Sequence, residues 1–428
     1  MTNRTVALAA DSMDPRLLAR WIRSGDLPNL AALREDGAGG ILDCTIPEGK
    51  THISSAVQWT THFTGVGLDR HGVYGFRKER SSSDGSPSVR ELINLSDIPL
   101  KTYPELLDEH GYSVGLVNPL PIWPPLEFES GFCVSGMLTP PESGRWVHPE
   151  SLGEELLELG YRIDVKYPDR PYGFIDDDLF DEVSIDTLYN DTFEVLDARV
   201  AVTKHLLESR ETDYLYVLLK AVDAIQHAFW AHMEADDPEY GDAILESYRR
   251  VDELVGWIRE NAPDADLVLF SDHGGQRRSV YRSNTATRFA ERAASLLPSI
   301  PEPIGKWYYR YKTVDTDGTG GETVGNPGRK TGIHRDEAVW MMAGPSVRPS
   351  DEEERLQFED VAPTILALLG QPIPTNYIGS PAAESIRADP PYVETDLRMN
   401  RRADLTIRDH ERVSERLHNL GYAEMVDE

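Results

Sequence analysis

Short, wholly apolar runs alternate along this chain with longer segments in which apolar residues recur every three or four positions. The short runs are typical of strands buried on both faces of a sheet, and the longer segments are typical of amphipathic helices. Strands are predicted at residues 5–10, 113–117, 214–219, 267–270 and 338–343. Because strands and helices take turns along the sequence, the pattern predicts an α/β fold with a largely parallel central sheet.

The helical segments are bounded by residues that commonly begin and end helices. Pro15 and Pro28 stand where the first two helices should begin, and Gly25 and Gly37 stand just after their predicted ends. Helices are predicted at residues 15–24, 29–36, 55–63, 103–110, 187–208, 238–261 and 360–369, with a late one that carries Val413, Leu417 and Leu420. No internal repeat is visible in this order of elements.

Three polar or irregular stretches interrupt the alternation, and they are predicted to be insertions at about residues 78–100, 119–186 and 276–330. The second is rich in Pro and aromatic residues, so it could cap a site or merely cover a sheet edge. We therefore expect one large domain with insertions over residues 1–375, followed by a polar C-terminal extension with one helix over residues 376–428.

The chain is strongly acidic. Its net charge is −30 at pH 7, from 43 basic and 73 acidic residues, and nine of the basic residues are Lys. This composition resembles that of proteins from salt-loving archaea, whose acidic surfaces stay solvated in concentrated salt. Self-repulsion at low salt should destabilise such a halophilic fold. The charge also argues against a nucleic acid duplex or an anionic membrane as a partner.

The cysteine content and the absence of targeting signals predict a cytoplasmic protein. Cys44 and Cys133 are too few for a disulfide framework. They could pair, but two buried thiols in a reducing compartment are the preferred interpretation. The first residues lead directly into a strand, without the pattern of a signal peptide. No apolar run approaches the roughly 20 residues that span a bilayer.

The most informative stretch joins an apolar run to a polar cluster and two glycines, Leu267-Val268-Leu269-Phe270-Ser271-Asp272-His273-Gly274-Gly275. The polar cluster would lie at the C-terminal end of a buried strand, the edge at which open α/β sheets bind ligands. Asp and His together suit a metal ion, and Gly removes side-chain bulk beside it. The alternative is a strand that ends in a polar turn.

Other acidic and histidine residues occupy comparable positions near strand ends. The whole set is Asp11, Asp223, His227, Asp272, His273 and His334. His227 lies four residues after Asp223, so the two side chains can share one face of a helical turn. The set supplies the roughly six mixed nitrogen and oxygen ligands that two metal ions need. Zinc is the default for such a shell, and manganese is the alternative.

Hydroxyl residues stand where the helix at residues 55–63 is predicted to begin. A helix N-terminus offers free N–H groups and the positive end of the helix dipole, which suit a phosphate. A serine at this position, such as Ser55, would become a nucleophile if a metal ion touched its hydroxyl. The alternative is that Ser54 simply caps the helix.

The order of these motifs resembles the type I phosphodiesterase/nucleotide pyrophosphatase family of the alkaline phosphatase superfamily. The resemblance covers roughly residues 5–375 and rests on Asp11, Trp59 to Gly65, His71-Gly72, Asp223 with His227, Ser271 to Gly274, and Gly332-Ile333-His334. It implies a three-layer α/β/α sandwich of the alkaline phosphatase type. It also implies a metal-dependent hydrolase of phosphate esters, with phosphodiesters as the first expectation.

The resemblance implies a role for each member of the set. One divalent metal would be held by Asp11, Asp272 and His273, and the other by Asp223, His227 and His334. Ser55 would touch both ions and act as the nucleophile, because it stands nine residues before Thr64, as in the family pattern. Relatives commonly have Thr followed two residues later by Pro, where this chain has Ser55 and Val57. Ser54 and Thr51 are the alternative nucleophiles.

A phosphodiesterase must also hold the second ester group of its small-molecule substrate. Trp59 and Tyr74 lie near Ser55 in sequence and are predicted to contact that group, with core packing as their alternative. Arg335 is predicted to contact phosphate oxygens, with simple charge balance as its alternative.

Sister activities on the same scaffold are further alternatives: phosphomonoesterase, phosphonate hydrolase or sulfatase. A sulfatase normally carries its nucleophile in a Cys/Ser-x-Pro-x-Arg motif, and neither Cys44 nor Ser55 has that context. A phosphoglycerate mutase-like enzyme would need a second phosphate-binding domain that the sequence does not reveal. A non-catalytic binding protein that has kept the fold is the last alternative.

Overall fold

A nine-stranded sheet forms the centre of the fold. The structure is a computed structural model, and it describes residues 3–45, 54–80, 89–140, 145–167, 183–278, 331–399 and 401. The strands are β1 (Arg4–Ala9), β2 (Ala38–Asp43), β3 (Arg77–Arg80), β4 (Val89–Leu92), β5 (Val114–Val117), β6 (Gly131–Val134), β7 (Val147–His148), β8 (Tyr214–Leu218), β9 (Ala265–Phe270), β10 (Gly274–Arg277), β11 (Gly332–Arg335), β12 (Glu337–Ala343), β13 (Glu353–Gln357), β14 (Ile373–Pro374) and β15 (Tyr392–Val393).

The helices lie between these strands, much as the periodicity predicts. They are α1 (Pro15–Ser24), α2 (Pro28–Glu35), α3 (Ser55–Thr64), α4 (Leu68–His71), α5 (Tyr103–Glu109), α6 (Leu152–Glu158), α7 (Ile185–Ser209), α8 (Ala221–Glu234), α9 (Ala243–Asn261) and α10 (Val361–Leu368), with 3-10 turns at Leu95–Asp97 and Phe358–Asp360. The helix predicted from residue 238 begins later, at Ala243. The Asp237 side chain instead accepts the N–H groups of Glu239 and Tyr240, which holds a turn at this point.

The strand order in the sheet is β13-β2-β12-β9-β1-β8-β5-β6-β7. The five strands β9, β1, β8, β5 and β6 run parallel to one another, whereas β12 is antiparallel to both of its neighbours and β7 is antiparallel to β6. Strands β10 and β11 form a separate antiparallel pair. The predicted α/β fold with a largely parallel sheet is confirmed, and β1 lies near its middle.

Alternate residues of β1 point to two different hydrophobic cores. Val6 and Leu8 face a core formed with α1, α2, α7, α8 and α9, whereas Ala7 and Ala9 face a core formed with α3, α5 and α10. Successive side chains of a strand point to opposite faces, so both faces of the sheet are covered by helices. The result is a three-layer α/β/α sandwich, as the family resemblance implies.

The described parts of the predicted insertions have regular structure. Residues 78–100 contribute to the antiparallel β3–β4 pair. Residues 119–186 contribute β6, β7 and α6, and these two strands extend the central sheet. The described part of the predicted extension also contributes to the core. Its residues Ala382, Ile386 and Leu397 are buried on the side of the sheet that α3 covers. Most of the insertion at 276–330 and the predicted late helix lie outside the described residues.

Cys44 and Cys133 are buried free thiols, in agreement with the preferred interpretation of the sequence. In the described part of the chain, we find no helix with the length and apolar character needed to cross a bilayer.

Candidate metal centre

The first cluster consists of Asp11, Asp272 and His273, and all three side chains are fully buried. The Nε2 atom of His273 lies 3.5 Å from Oδ1 of Asp11 and 3.4 Å from Oδ2 of Asp272. The chain order explains this meeting. Asp11 follows β1 and Asp272 follows β9, and these strands are parallel neighbours whose C-terminal ends share one edge of the sheet.

A turn after β1 fixes the geometry of this cluster. Ser12 adopts a positive φ of 68°, an uncommon conformation for a residue other than glycine, and its N–H points to Oδ1 of Asp272 at 3.4 Å. The hydroxyl of Ser271 accepts the N–H of Met13 at 2.9 Å and donates to the carbonyl of His273 at 2.7 Å. The two strand ends are therefore tied together by hydrogen bonds.

The second cluster consists of Asp223, His227 and His334. Oδ1 of Asp223 lies 3.1 Å from Nε2 of His227 and 3.6 Å from Nε2 of His334, and the two Nε2 atoms are 3.1 Å apart. Asp223 and His227 stand one turn apart on α8, as the spacing of four predicts. His334 is delivered from β11, so the cluster joins a helix to the β10–β11 pair.

Glycines allow the β10–β11 pair to lie directly on α8. A Cβ atom added at Gly332 would lie 2.3 Å from the carbonyl oxygen of Gln226, and one added at Gly275 would lie 2.2 Å from the Gln226 side-chain oxygen. Larger residues at these positions would push the strands away from the helix. The close approach brings the His334 ring to 3.7 Å from the ring of His273, so the two clusters are contiguous.

Backbone carbonyls orient two of the imidazole rings. Nδ1 of His273 lies 3.1 Å from the carbonyl oxygen of Gly274, and Nδ1 of His227 lies 2.9 Å from that of Gly332. A carbonyl can only accept, so each Nδ1 carries the proton and each Nε2 presents a lone pair to its cluster. This is how metal-binding histidines are usually fixed.

Each of the three carboxylates uses one oxygen within the protein and directs the other into a cluster. Asp11 Oδ2 accepts from the Trp59 indole N–H at 3.4 Å, Asp272 Oδ1 accepts from Ser12, and Asp223 Oδ2 lies 3.9 Å from Nζ of Lys220. The other oxygen of each carboxylate is buried without a hydrogen-bond partner among the described residues. Buried anionic oxygens of this kind need a cation, so the residues present fit divalent metal ions.

The electrostatics of the clusters agree with this fit. Burial, together with the neighbouring Asp223, raises the pKa of Asp272 to about 7, and burial with Asp272 raises the pKa of Asp11 well above its usual range. Burial also raises the pKa of Asp223, but the neighbouring His227, His334 and Lys220 side chains outweigh it and hold the pKa well below the usual value. Burial lowers the pKa of His273 well below the usual value, which keeps the ring neutral.

Ser55 is the first residue of α3, and its Oγ lies 3.1 Å from Nε2 of His273. It also interacts with Asp272, so its hydroxyl adjoins the first cluster. The alternative Ser54 is the N-cap of α3 but makes no side-chain capping bond. The second alternative, Thr51, lies outside the described residues.

The three predicted substrate contacts have different surroundings. Trp59 is fully buried among Phe270, Tyr216 and Phe358, with its N–H on Asp11, so its position fits the packing alternative and corrects the prediction of a substrate contact. Tyr74 is 60% exposed, which leaves its ring accessible to a ligand.

The environment of Arg335 favours its charge-balance alternative. Its guanidinium pairs with Glu337 at 2.6 Å, and it follows His334 on a strand. Neighbouring strand residues point to opposite faces, so Arg335 faces away from the cluster that His334 joins. Charge balance with Glu337 is therefore the better interpretation.

Lys220 belongs to the centre but was not identified from the sequence. It is 9% exposed, lies just beyond β8, and interacts with Asp223, Asp11 and Asp272. The negative charges of these neighbours raise its pKa despite its burial, so it remains cationic. The available signal was a lysine directly after a buried strand, three residues before Asp223, in a chain with few lysines.

Comparisons with known proteins identify the family and support the fold. The model of the family described as type I phosphodiesterase / nucleotide pyrophosphatase matches residues 5–317. No curated protein sequence matches the chain. The wild-type alkaline phosphatase PafA is similar in structure, with a TM-score of 0.53 and 13% identity over 90% of this chain and 99% of that chain.

A second similar structure is phosphonoacetate hydrolase from Sinorhizobium meliloti 1021 in complex with phosphonoformate, with a TM-score of 0.53 and 13% identity over 84% of this chain and 94% of that chain. At such low identities these two likenesses concern the fold. The family match, in contrast, extends over more than half of the sequence and includes Asp11, Ser55, Asp223 and Asp272. The chain therefore belongs to the type I phosphodiesterase/nucleotide pyrophosphatase family of metal-dependent phosphoryl hydrolases.

Proposed function

We propose that this protein is a phosphodiesterase that attacks its substrate with Ser55 and works with two divalent metal ions. The observation that carries the proposal is the surroundings of the Ser55 hydroxyl. The hydroxyl adjoins His273 and Asp272 in the first cluster, which is contiguous with the second. Together the clusters bring three buried carboxylate oxygens, none hydrogen-bonded within the described residues, close to the Nε2 atoms of three histidines. Such a donor set binds divalent cations, and it would be costly as an ordinary part of a core.

The first cluster would hold one ion and the second cluster the other. Ions bound there would polarise the phosphate ester and make the Ser55 hydroxyl more acidic. Zinc is the proposed metal because the shell mixes imidazole and carboxylate, and manganese is the alternative.

The residues of the chain position the reacting groups. Ser55 stands at the N-terminus of α3, so phosphate oxygens beside it would meet free N–H groups and the positive end of the helix dipole. The Ser55 oxygen forms a bond to phosphorus as the bond from phosphorus to the leaving alcohol breaks. Water then releases the phosphate monoester from Ser55, and the serine hydroxyl is restored.

A sister activity on the same scaffold is the second candidate. The two similar structures are named as an alkaline phosphatase and a phosphonoacetate hydrolase, which favours phosphomonoesters or phosphonates as alternative substrates. A sulfatase is disfavoured because Ser55 lacks the Cys/Ser-x-Pro-x-Arg context.

The free thiols of Cys44 and Cys133 support a reducing, cytoplasmic setting for the enzyme.

The substrate class is tested by comparing hydrolysis of bis-p-nitrophenyl phosphate, p-nitrophenyl phosphate and p-nitrophenyl sulfate in high salt, with and without a chelator. We expect the diester to be preferred and the chelator to abolish turnover. A preference for the monoester would move the function to the sister activity. Metal-independent turnover, or no turnover of any substrate, would contradict the proposal.

The nucleophile is tested by Ser55→Ala, with Ser54→Ala as the matched control. Ser55→Ala should abolish turnover of the diester while the protein still binds its metals, because the six ligands are unchanged. Ser54→Ala should stay close to the activity of the unaltered protein, since the Ser54 side chain makes no capping bond. An active Ser55→Ala enzyme would remove the assignment.

A further inference from the structure

Asp164 is a buried carboxylate that the proposed mechanism does not use. It lies between α6 and α7 and is 6% exposed. Its Oδ1 accepts the N–H of Val165 at 2.7 Å, whereas its Oδ2 is buried without a hydrogen-bond partner among the described residues. A buried carboxylate oxygen with no donor is costly unless a positive charge lies nearby. The position of Asp164 therefore depends on a neighbouring cation.

Lys220 supplies the largest share of that positive charge. Burial raises the pKa of Asp164, and the charges of Lys220 and, to a smaller extent, Arg199 oppose this increase. Arg199 also donates from Nη2 to the backbone carbonyls of Arg162 and Ile163, at 3.2 and 2.8 Å. Arg199 is thus partly committed to the backbone, and Lys220 is the principal counter-charge of Asp164.

The packing of the chain places these two residues on the same side of the sheet. Lys220 lies just beyond β8, at the N-cap of α8. Its neighbours Leu219 and Ala221 are buried in the hydrophobic core that α7, α8 and α9 help to form, and Val165 beside Asp164 is buried in the same core. The two charged side chains therefore interact within one layer of the sandwich, where water and salt screen their attraction only weakly.

Lys220 also lies beside a ligand of the second cluster. Its Nζ is 3.9 Å from Oδ2 of Asp223, which is longer than a hydrogen bond, so this contact acts through charge. Oδ1 of Asp223 lies 3.1 Å from Nε2 of His227, within the cluster. Asp223 and Asp164 are the two largest sources of negative charge that act on Lys220. One buried ammonium group is thus shared between a proposed metal ligand and a carboxylate outside both clusters.

This sharing has consequences because an ammonium group and a metal ion repel each other. In the metal-free protein, the positive charge of Lys220 compensates the negative charge of Asp223. With a divalent ion on the other oxygen of Asp223, the same positive charge would weaken the binding of that ion. Asp164 gives the ammonium group a second negative partner, so Lys220 can stay in the core when the cluster is occupied.

We propose that Asp164 and Lys220 are positioning residues that adjust the affinity of the second cluster for its metal ion. Lys220 compensates Asp223 in the metal-free protein and limits how tightly the ion binds. Asp164 acts through Lys220, because it holds the ammonium group and offsets its repulsion of the ion. The inference rests on the metal sites that the proposed function requires.

A double-mutant cycle of zinc affinities tests this arrangement. Calorimetric titration of the chelated protein in high salt follows the weaker zinc equivalent in Asp164→Asn, in Lys220→Met and in the double variant. Asp164→Asn leaves the charge of Lys220 unbalanced, so the affinity should fall about tenfold or more. Lys220→Met removes the repulsion, so the affinity should equal or exceed that of the unaltered protein. The double variant should behave like Lys220→Met, because Asp164 then has no ammonium group to hold.

The stability of the metal-free protein is a second readout, and in Lys220→Met it should decrease while the zinc affinity does not. Without the ammonium group the buried charge of Asp223 is uncompensated, so chemical unfolding of the chelated protein should need less denaturant. Lys220→Arg keeps the charge and should stay within about threefold of the unaltered zinc affinity. A residue that only supported the fold would lower the stability and the zinc affinity together.

Two matched controls lie away from the second cluster. Lys204→Met removes an ammonium group that lies 5.6 Å from the centre of the Trp257 ring. Asp266→Asn removes a carboxylate that is 1% exposed and accepts the N–H of Ser346 at 2.7 Å, near the N-terminal end of β9. Both variants should leave the zinc affinity unchanged.

The outcomes separate this inference from the proposed function. Weaker zinc binding in Lys220→Met, unchanged binding in Asp164→Asn, or effects that simply add in the double variant would overturn the inference. If Asp164→Asn does not fold, Lys220→Met decides alone, through undiminished zinc affinity in a less stable metal-free protein. Failure of the proposed function looks different, because the unaltered protein would then bind no zinc or show no metal-dependent turnover of any ester.

Discussion

The two clusters of the candidate metal centre are built in different ways. Asp11, Asp272 and His273 have no exposed surface and stand at the ends of two neighbouring central strands. Asp223 and His227 are each 6% exposed, and the side chain of His334 is 25% exposed. The second cluster also depends on the antiparallel β10–β11 pair, which lies outside the main sheet. One half of the centre is therefore fixed by the core, and the other by local contacts.

This difference predicts that the two clusters have different roles. Ligands held by a central sheet cannot move without disturbing the core, so the first cluster should keep its metal geometry closely fixed. A partly exposed ligand on a two-stranded pair outside the main sheet can move at a lower free-energy cost. We expect the second cluster to exchange its ion more readily and to admit the substrate.

The largest effect should come from Asp272→Asn. The change removes one anionic ligand of the first cluster while keeping the side-chain shape, so turnover of the diester should fall on the order of 10³-fold or more. Excess metal should not restore it, because the buried site has no substitute ligand. The measurement is kcat with increasing zinc, together with metal content. Recovery of activity at high zinc would mean that the first cluster is not the fixed half.

His334→Ala should have a smaller and partly reversible effect. The second cluster keeps Asp223 and His227, and water can reach the position that the partly exposed imidazole leaves, so the affinity for zinc should fall more than the maximal rate. We expect the affinity for zinc to fall about 100-fold, so that more zinc is needed for activity. Most of the kcat should return when zinc is saturating. His110→Ala, at an exposed histidine bonded to Gln371, is the control. Failure of saturating zinc to restore turnover would contradict the contrast between the clusters.

Trp59→Phe tests the support of the first cluster without removing a ligand. The ring stays in its aromatic surroundings, but Asp11 loses the indole N–H that holds Oδ2. Activity should fall about tenfold, as for other partners of metal ligands. Trp340→Phe is the matched control, because that buried indole donates to the carbonyl of Glu354 instead. Equal activities of the two variants would show that the Trp59 contact only packs the core.

The dependence of the free energy of unfolding on pH is a test of the first cluster with a smaller expected effect. In the metal-free protein, the pKa of Asp272 is about 7, raised from the ordinary carboxyl value of about 4. Between these two pH values the folded state therefore keeps a proton that the unfolded state has lost. The free energy of unfolding is highest at low pH and falls as the pH rises towards 7. The loss should be on the order of a few kcal/mol.

Chemical unfolding of the chelated protein from pH 4 to pH 8 measures this loss. The slope should be smaller in Asp272→Asn, which cannot titrate at that position. Bound zinc should abolish or reverse the slope, because a metal-bound carboxylate stays ionised in the folded state. Identical slopes for the chelated and zinc-loaded proteins would contradict the assignment of Asp272 to a metal site.

The sequence predicts the helices and strands that carry the first cluster more accurately than it predicts the contacts around them. Helix α1 has the predicted bounds, and the strands ending before Asp11 and Asp272 differ from prediction by two residues or fewer. Apolar periodicity and Pro or Gly at the ends are local signals, so they can be read directly. The common position of Asp11 and Asp272 then follows from parallel pairing of neighbouring strands.

Other features depend on contacts between residues distant in sequence. Arg335 pairs with Glu337, and Lys220 points towards Asp223; neither partner could be identified from local pattern alone. The insertion at residues 119–186 lacks clear periodicity, yet its strands pair with β5 and with each other. Tertiary pairing decides these cases, and a single sequence carries little information about it.

The most direct test of the whole account is the number of metal ions that the chain binds. Calorimetric titration of the chelated protein with zinc should give two equivalents, one from each cluster. Asp272→Asn and Asp223→Asn should each retain one, with the tighter equivalent remaining in Asp223→Asn. A single equivalent in the unaltered protein, or two in both variants, would contradict a centre built from the two clusters.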